Sequence, residues 1–250
     1  MRIRIAAAVA LCVVIVASAE EPKKPEPKAD KDGWIDLMKP DVWKKVDTRW
    51  IFTDEVKLAP DTKGKADLRL QADKKTDGKI WLNGEGRLPN LITKQEFGDC
   101  EVHVEFLIAK NSNAGIKFQE VYEIQILDSY GKKDLTGSGM GGIYPRADLV
   151  KGGYLDKGIP PKVNASKPAG EWQTLEAVWR APRFNASGEK IANAVMVKAV
   201  LNGQVIHDNV EVKTPTGGNW QKKETPTGSF MLQSDHGPTA WRNVRIKPRK

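Results

Sequence analysis

The chain has 250 residues, of which 40 are Lys or Arg and 32 are Asp or Glu, giving a formal net charge of +8 at pH 7. The basic residues are spread along the chain and form no dense stripe interleaved with aromatic residues, which argues against nucleic-acid binding. Of its two cysteines, Cys12 lies in an apolar N-terminal run, so Cys100 has no partner for an internal disulfide.

The first 19 residues have the pattern of a signal peptide. Two arginines open the chain, residues 5–16 are apolar throughout, and Ala17-Ser18-Ala19 fits a small-x-small cleavage site. The apolar run is shorter than the roughly 20 residues of a membrane-spanning helix, so no membrane association is expected after cleavage. The sequence therefore predicts a periplasmic or secreted protein.

A charged, Pro-rich segment follows at residues 20–33 and contains no large apolar residue. This composition is typical of a disordered linker. Because no second linker interrupts the rest of the chain, residues 34–250 are predicted to form a single domain. A domain of this length can bury an ordinary hydrophobic core without disulfides.

Short apolar runs separated by Gly, Asn, Asp and Pro dominate this domain, which indicates strands. The candidate strands are residues 50–53, 66–71, 80–82, 86–88, 91–93, 99–108, 114–119, 122–128, 173–180, 194–201, 204–209, 228–233 and 240–247. A short helical turn is predicted within residues 36–43, with Asp41 as a cap for residues 42–45, and Asn202-Gly203 predicts a type I′ hairpin turn. Many short strands with turns between them predict an all-β fold, a β-sandwich or jelly roll.

The strand predicted at residues 122–128 carries an unusual polar face. Alternation places Glu123 and Gln125 together, opposite to large apolar side chains, and Asp128 ends the strand. An acid beside an amide on an otherwise apolar strand suits a surface that binds a hydroxyl-rich ligand. A solvated strand face is the alternative interpretation.

Several motifs occur along the chain in the order found in one known family. They are WLNGEG at residues 81–86, FGDCEVHVEF at 97–106, NSNAGI at 111–116, YEIQILD at 122–128, GEWQ at 170–173, QSDHG at 233–237 and WRNVRI at 241–246. Together they resemble the 3-keto-disaccharide hydrolase family, also known as domain of unknown function 1080. The resemblance implies a concanavalin-like, laminin-G-like jelly roll of two antiparallel sheets. It also implies an exported enzyme that cleaves the glycosidic bond of 3-keto-glycosides.

The implied reaction needs few catalytic groups. A carbonyl at C3 acidifies the proton at C2; once a base removes this proton, the enolate expels the glycosidic oxygen and water adds back. Glu123 or Glu105 is the expected base, with His236 as the acid or its partner. Antiparallel pairing is expected to bring Glu105 close to Glu123, so that repulsion raises the pKa of one of these carboxyl groups.

Further side chains are expected to hold the sugar. The candidates are Asn113, Gln125, Asp128, Tyr144, Trp220, Gln233 and Arg242. Tyr144 and Trp220 lie in two long predicted loops, residues 131–168 and 213–226, from which they could stack on a sugar ring. Arg242 could bind the enolate, or it could form an ion pair with Asp128 or Asp235.

No metal-binding motif of conventional spacing is present, and the sequence identifies no cofactor with certainty. Loop oxygens could still hold a divalent cation such as Ca²⁺. The expected partner is a carbohydrate, either an oxidised disaccharide or another oxidised glycoside. Two alternatives stay open: a carbohydrate-binding module without catalytic activity, and an interaction domain on a Pro-rich tether.

Overall fold

The computed structural model describes residues 29–60 and 68–249. The predicted signal peptide, residues 1–19, and the first part of the predicted linker, residues 20–28, lie outside the described residues. Residues 30–33, at the end of the predicted linker, form a turn in which the Gly33 N–H donates to the Asp30 carbonyl at 3.0 Å. Within the described residues, no helix is long and apolar enough to cross a membrane.

The described residues form sixteen strands and one short helix. The strands are β1 (Ile35–Asp36), β2 (Ile51–Thr53), β3 (Lys57–Leu58), β4 (Leu70–Gln71), β5 (Ile80–Leu82), β6 (Leu91–Phe97), β7 (Cys100–Ile108), β8 (Asn113–Phe118), β9 (Tyr122–Leu127), β10 (Gln173–Arg180), β11 (Arg183–Phe184), β12 (Lys190–Ala192), β13 (Ala194–Leu201), β14 (Gln204–Val212), β15 (Gly228–Gln233) and β16 (Thr239–Pro248). A 3₁₀ helix spans Pro40–Val42. Asp41 lies inside this helix, so its predicted role as the cap of a later turn is wrong. Pro40, with its fixed φ angle, starts the helix earlier.

Two antiparallel sheets account for most of the strands. The larger sheet has the order β14-β13-β10-β7-β16-β5-β2, with β1 also paired to β16. The smaller sheet has the order β6-β15-β8-β9. Strands β3 with β4, and β11 with β12, form two further two-stranded sheets. This architecture confirms the predicted jelly-roll β-sandwich.

Apolar side chains from both sheets meet in one core. Phe118 of β8 stacks on Trp179 of β10, with ring centroids 4.8 Å apart. Val104 of β7 and Ile124 of β9 are buried in the same core. Successive side chains of a strand point to opposite sides, so Glu105 and Glu123 point away from the core. They lie on the outer faces of different sheets, because β7 belongs to the larger sheet and β9 to the smaller one.

Several local predictions can be compared with the described strands. Asn202 and Gly203 have φ angles of 51° and 81°, which confirms the predicted type I′ turn between β13 and β14. Residues 86–88 are not a strand, because Gly86, with a φ of 75°, closes a turn by donating its N–H to the Asn83 carbonyl. Strands β1, β3, β11 and β12 were not predicted, since two or three residues are too few to show an alternating pattern.

Strand β9 lies at the edge of the smaller sheet, where the loop that follows it continues the hydrogen-bonded ladder. The Gln125 N–H donates to the Gly142 carbonyl at 2.8 Å, and the Gly141 N–H donates to the Gln125 carbonyl at 2.8 Å. The Tyr144 N–H donates to the Glu123 carbonyl at 3.0 Å. These bonds fix the backbone of Tyr144 beside that of Glu123.

Candidate functional site

The outer face of the smaller sheet carries a buried ion pair. Lys117 of β8 lies opposite Glu123 of β9, and the Lys117 Nζ is 3.0 Å from the Glu123 Oε2. Both side chains are at least nine-tenths buried. The cost of desolvating two charges offsets much of their attraction, so a buried pair is weak evidence of a stabilising role.

Gly115 provides the space in which the Glu123 carboxylate lies. Gly115 is paired in register with Gln125 on one side and with Gln233 on the other. A Cβ atom added to Gly115 would lie only 2.2 Å from the Glu123 Oε1. The carboxylate therefore occupies the volume that any larger residue at position 115 would fill.

Burial raises the pKa of Glu123 above the ordinary value of a glutamate. The charge of Lys117 and its hydrogen bond act in the opposite direction, as does a positive charge on His236. The negative charge of Asp235 raises the pKa further. Because burial is the largest of these effects, Glu123 takes up a proton closer to neutral pH than a solvated glutamate does.

Three amide side chains surround the carboxylate on the same face. The Gln125 Nε2 donates to the Asn113 Oδ1 at 3.1 Å. The Oε1 atoms of Gln125 and Gln233 are buried and accept no hydrogen bond from the described residues. A buried acceptor without a donor is costly, and a hydroxyl group brought to these oxygens would remove that cost.

Two loops border this face of the sheet. The Tyr144 Oη lies 3.0 Å from the Tyr154 Oη, and the Glu123 N–H donates to the Thr216 Oγ1 at 3.0 Å. Burial and the hydrogen bond to Tyr154 raise the pKa of Tyr144, so its hydroxyl stays protonated at neutral pH. Trp220 lies against Arg146, whose guanidinium carbon is 5.6 Å from the indole centroid.

His236 and Asp235 follow the end of β15. The His236 Nδ1 is 2.6 Å from the Asp235 Oδ1, and the His236 side chain is 52% exposed. This contact directs Nδ1 to the carboxylate, and Nε2 makes no hydrogen bond with the residues that the structure describes.

Glu105 and Arg242 are not part of this face. Glu105 lies on β7 in the larger sheet, where its Oε2 accepts a hydrogen bond from the Arg242 Nε at 2.6 Å. The predicted proximity of Glu105 to Glu123 is therefore wrong, since the chain passes to the other sheet between β7 and β8. Arg242 lies on β16 and pairs with Glu105, so its predicted ion pair with Asp128 or Asp235 is wrong. Because β16 belongs to the larger sheet, Arg242 does not share the face that carries Glu123.

A family model described as a 3-keto-alpha-glucoside-1,2-lyase-like domain matches residues 30–247. The chain belongs to this family. The family resemblance seen in the sequence is thereby confirmed, and the chain is a carbohydrate-active domain of the glycosyl hydrolase or lyase type. The chain matches none of the curated proteins with which it was compared.

Two solved structures have folds similar to this lyase-like domain. Both are proteins of Parabacteroides distasonis ATCC 8503 described as candidate glycosyl hydrolases. The first is 24% identical, covers 93% of this chain and 95% of its own, and gives a TM-score of 0.59. The second is 17% identical, covers 86% of this chain and 99% of its own, and gives a TM-score of 0.52. At these identities the similarity establishes the fold alone.

Sequence reasoning missed Lys117 and Tyr154 in the site of this lyase-like domain. Lys117 shares one strand face with Asn113, so a lysine in an otherwise apolar strand was a usable signal.

Asp128 has a turn contact, because its Oδ2 accepts from the Asn111 N–H at 3.0 Å. No group of three or more His, Cys, Asp or Glu side chains suited to a metal ion occurs within residues 29–60 and 68–249.

Proposed function

We propose that this protein hydrolyses 3-keto-glycosides, with Glu123 as the base that removes the proton at C2. The observation that carries the proposal is a single buried carboxyl group of raised pKa, held by Lys117 among polar side chains. A base whose pKa is raised toward neutrality is suited to take a proton from carbon acidified by a neighbouring carbonyl. The family assignment supports the same class of substrate.

The proposed reaction conserves oxidation state and needs no external oxidant. The C2–H bond breaks, its proton moves to Glu123, and the electron pair forms an enolate that extends to the C3 oxygen. The enolate then expels the oxygen at C1, which takes up a proton as it leaves. Water adds across the resulting C1–C2 double bond, with its hydroxyl at C1 and a proton at C2. The sum of these steps is hydrolysis of the glycosidic bond.

Other groups of the face have roles that follow from their chemistry. His236, oriented by Asp235, is the proposed acid that protonates the leaving oxygen. Lys117 holds the Glu123 carboxylate and supplies positive charge where the enolate forms. Asn113, Gln125 and Gln233 are the proposed acceptors and donors for sugar hydroxyls, and Tyr144 and Trp220 the proposed ring contacts from the loops.

A conventional glycosidase mechanism fits this face less well. Such enzymes use two carboxyl groups about 5 to 9.5 Å apart, one on each side of the scissile bond. Here Glu123 is paired with a lysine, and Asp235 is engaged by His236. The signal-peptide pattern of residues 1–19 supports action outside the cytoplasm, on sugars oxidised elsewhere.

The test of this function is an assay on matched substrates. The purified protein should release both sugars from a 3-keto-disaccharide and leave the unoxidised parent disaccharide intact, because only the ketone acidifies the C2 proton. Chromatography of the products measures both reactions. Binding of the 3-keto-disaccharide without any cleavage would instead favour a carbohydrate-binding module, and cleavage of both substrates would exclude the elimination mechanism.

Replacing Gly115 with alanine should impair this reaction while preserving the fold. The new Cβ would lie 2.2 Å from the Glu123 Oε1, so the carboxylate must move away from its place beside Lys117. We expect kcat/KM to fall about 100-fold, the scale of loss caused by a displacement near 1 Å. Gly139→Ala is a matched control, since its Cβ would make only an ordinary contact of 3.4 Å. Equal activity of the two variants would contradict the assigned position of the base.

A further inference from the structure

A polar cavity lies on the outer face of the larger sheet, on the opposite side of the sandwich from Glu123. Its volume is about 840 Å³, within the range of about 300 to 1,000 Å³ that is common for ligand sites. Glu105, Arg242 and Asn243 line it, together with Asp77 and Lys79 just before β5. None of these residues belongs to the face that carries Glu123.

Arg242 is held in a fixed position at this cavity. Its guanidinium carbon lies 3.9 Å from the Trp172 ring centroid, and its Nε donates to the Glu105 Oε2 at 2.6 Å. The Asn243 Nδ2 donates to the other oxygen of Glu105 at 2.8 Å. The terminal nitrogens of Arg242 donate no hydrogen bond to the residues that the structure describes, and 39% of the side chain is exposed. Arg242 therefore presents preorganised N–H donors to a ligand.

The charges around the cavity favour a neutral ligand that is rich in hydroxyl groups. Asp54 and Glu105 also line the cavity, but they form ion pairs with Lys75 and Arg242. Of the remaining charges, Asp36 and Asp77 oppose an anion, whereas Lys79 opposes a cation. A hydroxyl group suits both kinds of side chain, since it can accept from a guanidinium and donate to a carboxylate. The side chain of Met38 adds an apolar surface for the C–H groups of a sugar ring.

We propose that this cavity binds a neutral oligosaccharide. The site lies on the face of the sandwich opposite to Glu123, so a glycan bound there does not compete with the substrate of the reaction. The proposed glycan-binding site does not depend on the proposed hydrolysis of 3-keto-glycosides. The protein then has one face for chemistry and a second face for attachment to a glycan.

Isothermal titration calorimetry with the full chain tests this proposal. The probes are maltohexaose, cellohexaose, laminarihexaose and xylohexaose, which are all unoxidised. We expect at least one probe to bind, and to bind about tenfold more weakly to the Arg242→Gln variant, which loses a charged hydrogen-bond donor. Asp77→Ala should also weaken binding and leaves the Arg242–Glu105 pair intact, so it covers the case in which the first variant misfolds.

Glu176→Gln is the matched control on the same face, since Glu176 lies outside the cavity and its side chain is 60% exposed. The proposal is overturned if no probe binds, or if the wild type and both cavity variants bind equally. Loss of binding in Glu123→Gln would assign the sugar to the other face and would also overturn it. Tighter binding of a polygalacturonate hexasaccharide than of every neutral probe would refute the proposed ligand class.

Discussion

Glu123→Gln is expected to reduce kcat/KM for a 3-keto-disaccharide by about 10²- to 10⁴-fold, the usual contribution of a general base. The glutamine has the same shape and can still accept a hydrogen bond from Lys117, but it cannot take the C2 proton. The fold should survive, because the amide fills the space above Gly115 as the carboxylate does, but the free energy of unfolding should fall because the Lys117 ammonium loses its buried partner. Steady-state kinetics together with thermal unfolding separate the loss of the base from a loss of structure.

Glu176→Gln serves as the control for this measurement. Its carboxylate is exposed on the larger sheet and contacts His103, far from the chemistry proposed at Glu123. We expect this variant to keep wild-type turnover. Undiminished turnover in the Glu123→Gln variant would exclude Glu123 as the base and would mean that another group removes the C2 proton.

Lys117→Met should shift the acid side of the kcat/KM profile to higher pH. Removing the ammonium takes away the interactions that oppose burial, so the pKa of Glu123 rises further. The base works only when deprotonated, so activity is lost as the pH falls through this pKa, and the loss then begins at a higher pH. An opposite charge at this distance typically changes a carboxyl pKa by about 1 to 3 units, which sets the expected displacement. Activity measured from acid to mildly basic pH gives the profile.

The same variant should lose stability in a pH-dependent way. A buried pair that loses one partner costs about 3 to 5 kcal/mol when the remaining charge stays ionised. Because the pKa of Glu123 is raised in the folded state, the folded protein binds more protons than the unfolded chain between the two pKa values. The contribution of Glu123 to the stability of Lys117→Met is therefore greatest at low pH and is lost as the pH rises through the folded-state pKa of Glu123. Lys198→Met, which removes an exposed lysine of β13, should change neither property.

The sequence was sufficient to predict the β-sandwich and the part of the candidate site that lies on β9. Alternation assigned Glu123 and Gln125 to one face, and the structure places them together on β9. Glu105 lies on the outer face of β7, between the core residues Val104 and Phe106. Alternation could not show that β7 and β9 belong to different sheets, because the side-chain period is the same in both.

The position of Lys117 beside Glu123 depends on the register between β8 and β9 and could not be predicted from the sequence. Lys117 meets Glu123 because the turn between β8 and β9 brings Phe118 opposite Tyr122. Gln119 and Glu120 adopt φ angles of 52° and 61° in that turn, a backbone conformation that residues other than glycine seldom adopt. No turn signal of Gly or Asn marks these positions, so the register that creates the ion pair was not readable from the sequence.

The loop at residues 141–144 has a second consequence through its backbone contacts with β9. A strand at the rim of a sheet with unpaired backbone groups is a template for association with other chains. By occupying those groups, the loop shields the protein from edge-to-edge aggregation. The segment that carries Tyr144 to the candidate site is therefore also a safeguard of solubility. Any evolutionary change of substrate range through this loop has to keep its backbone pairing.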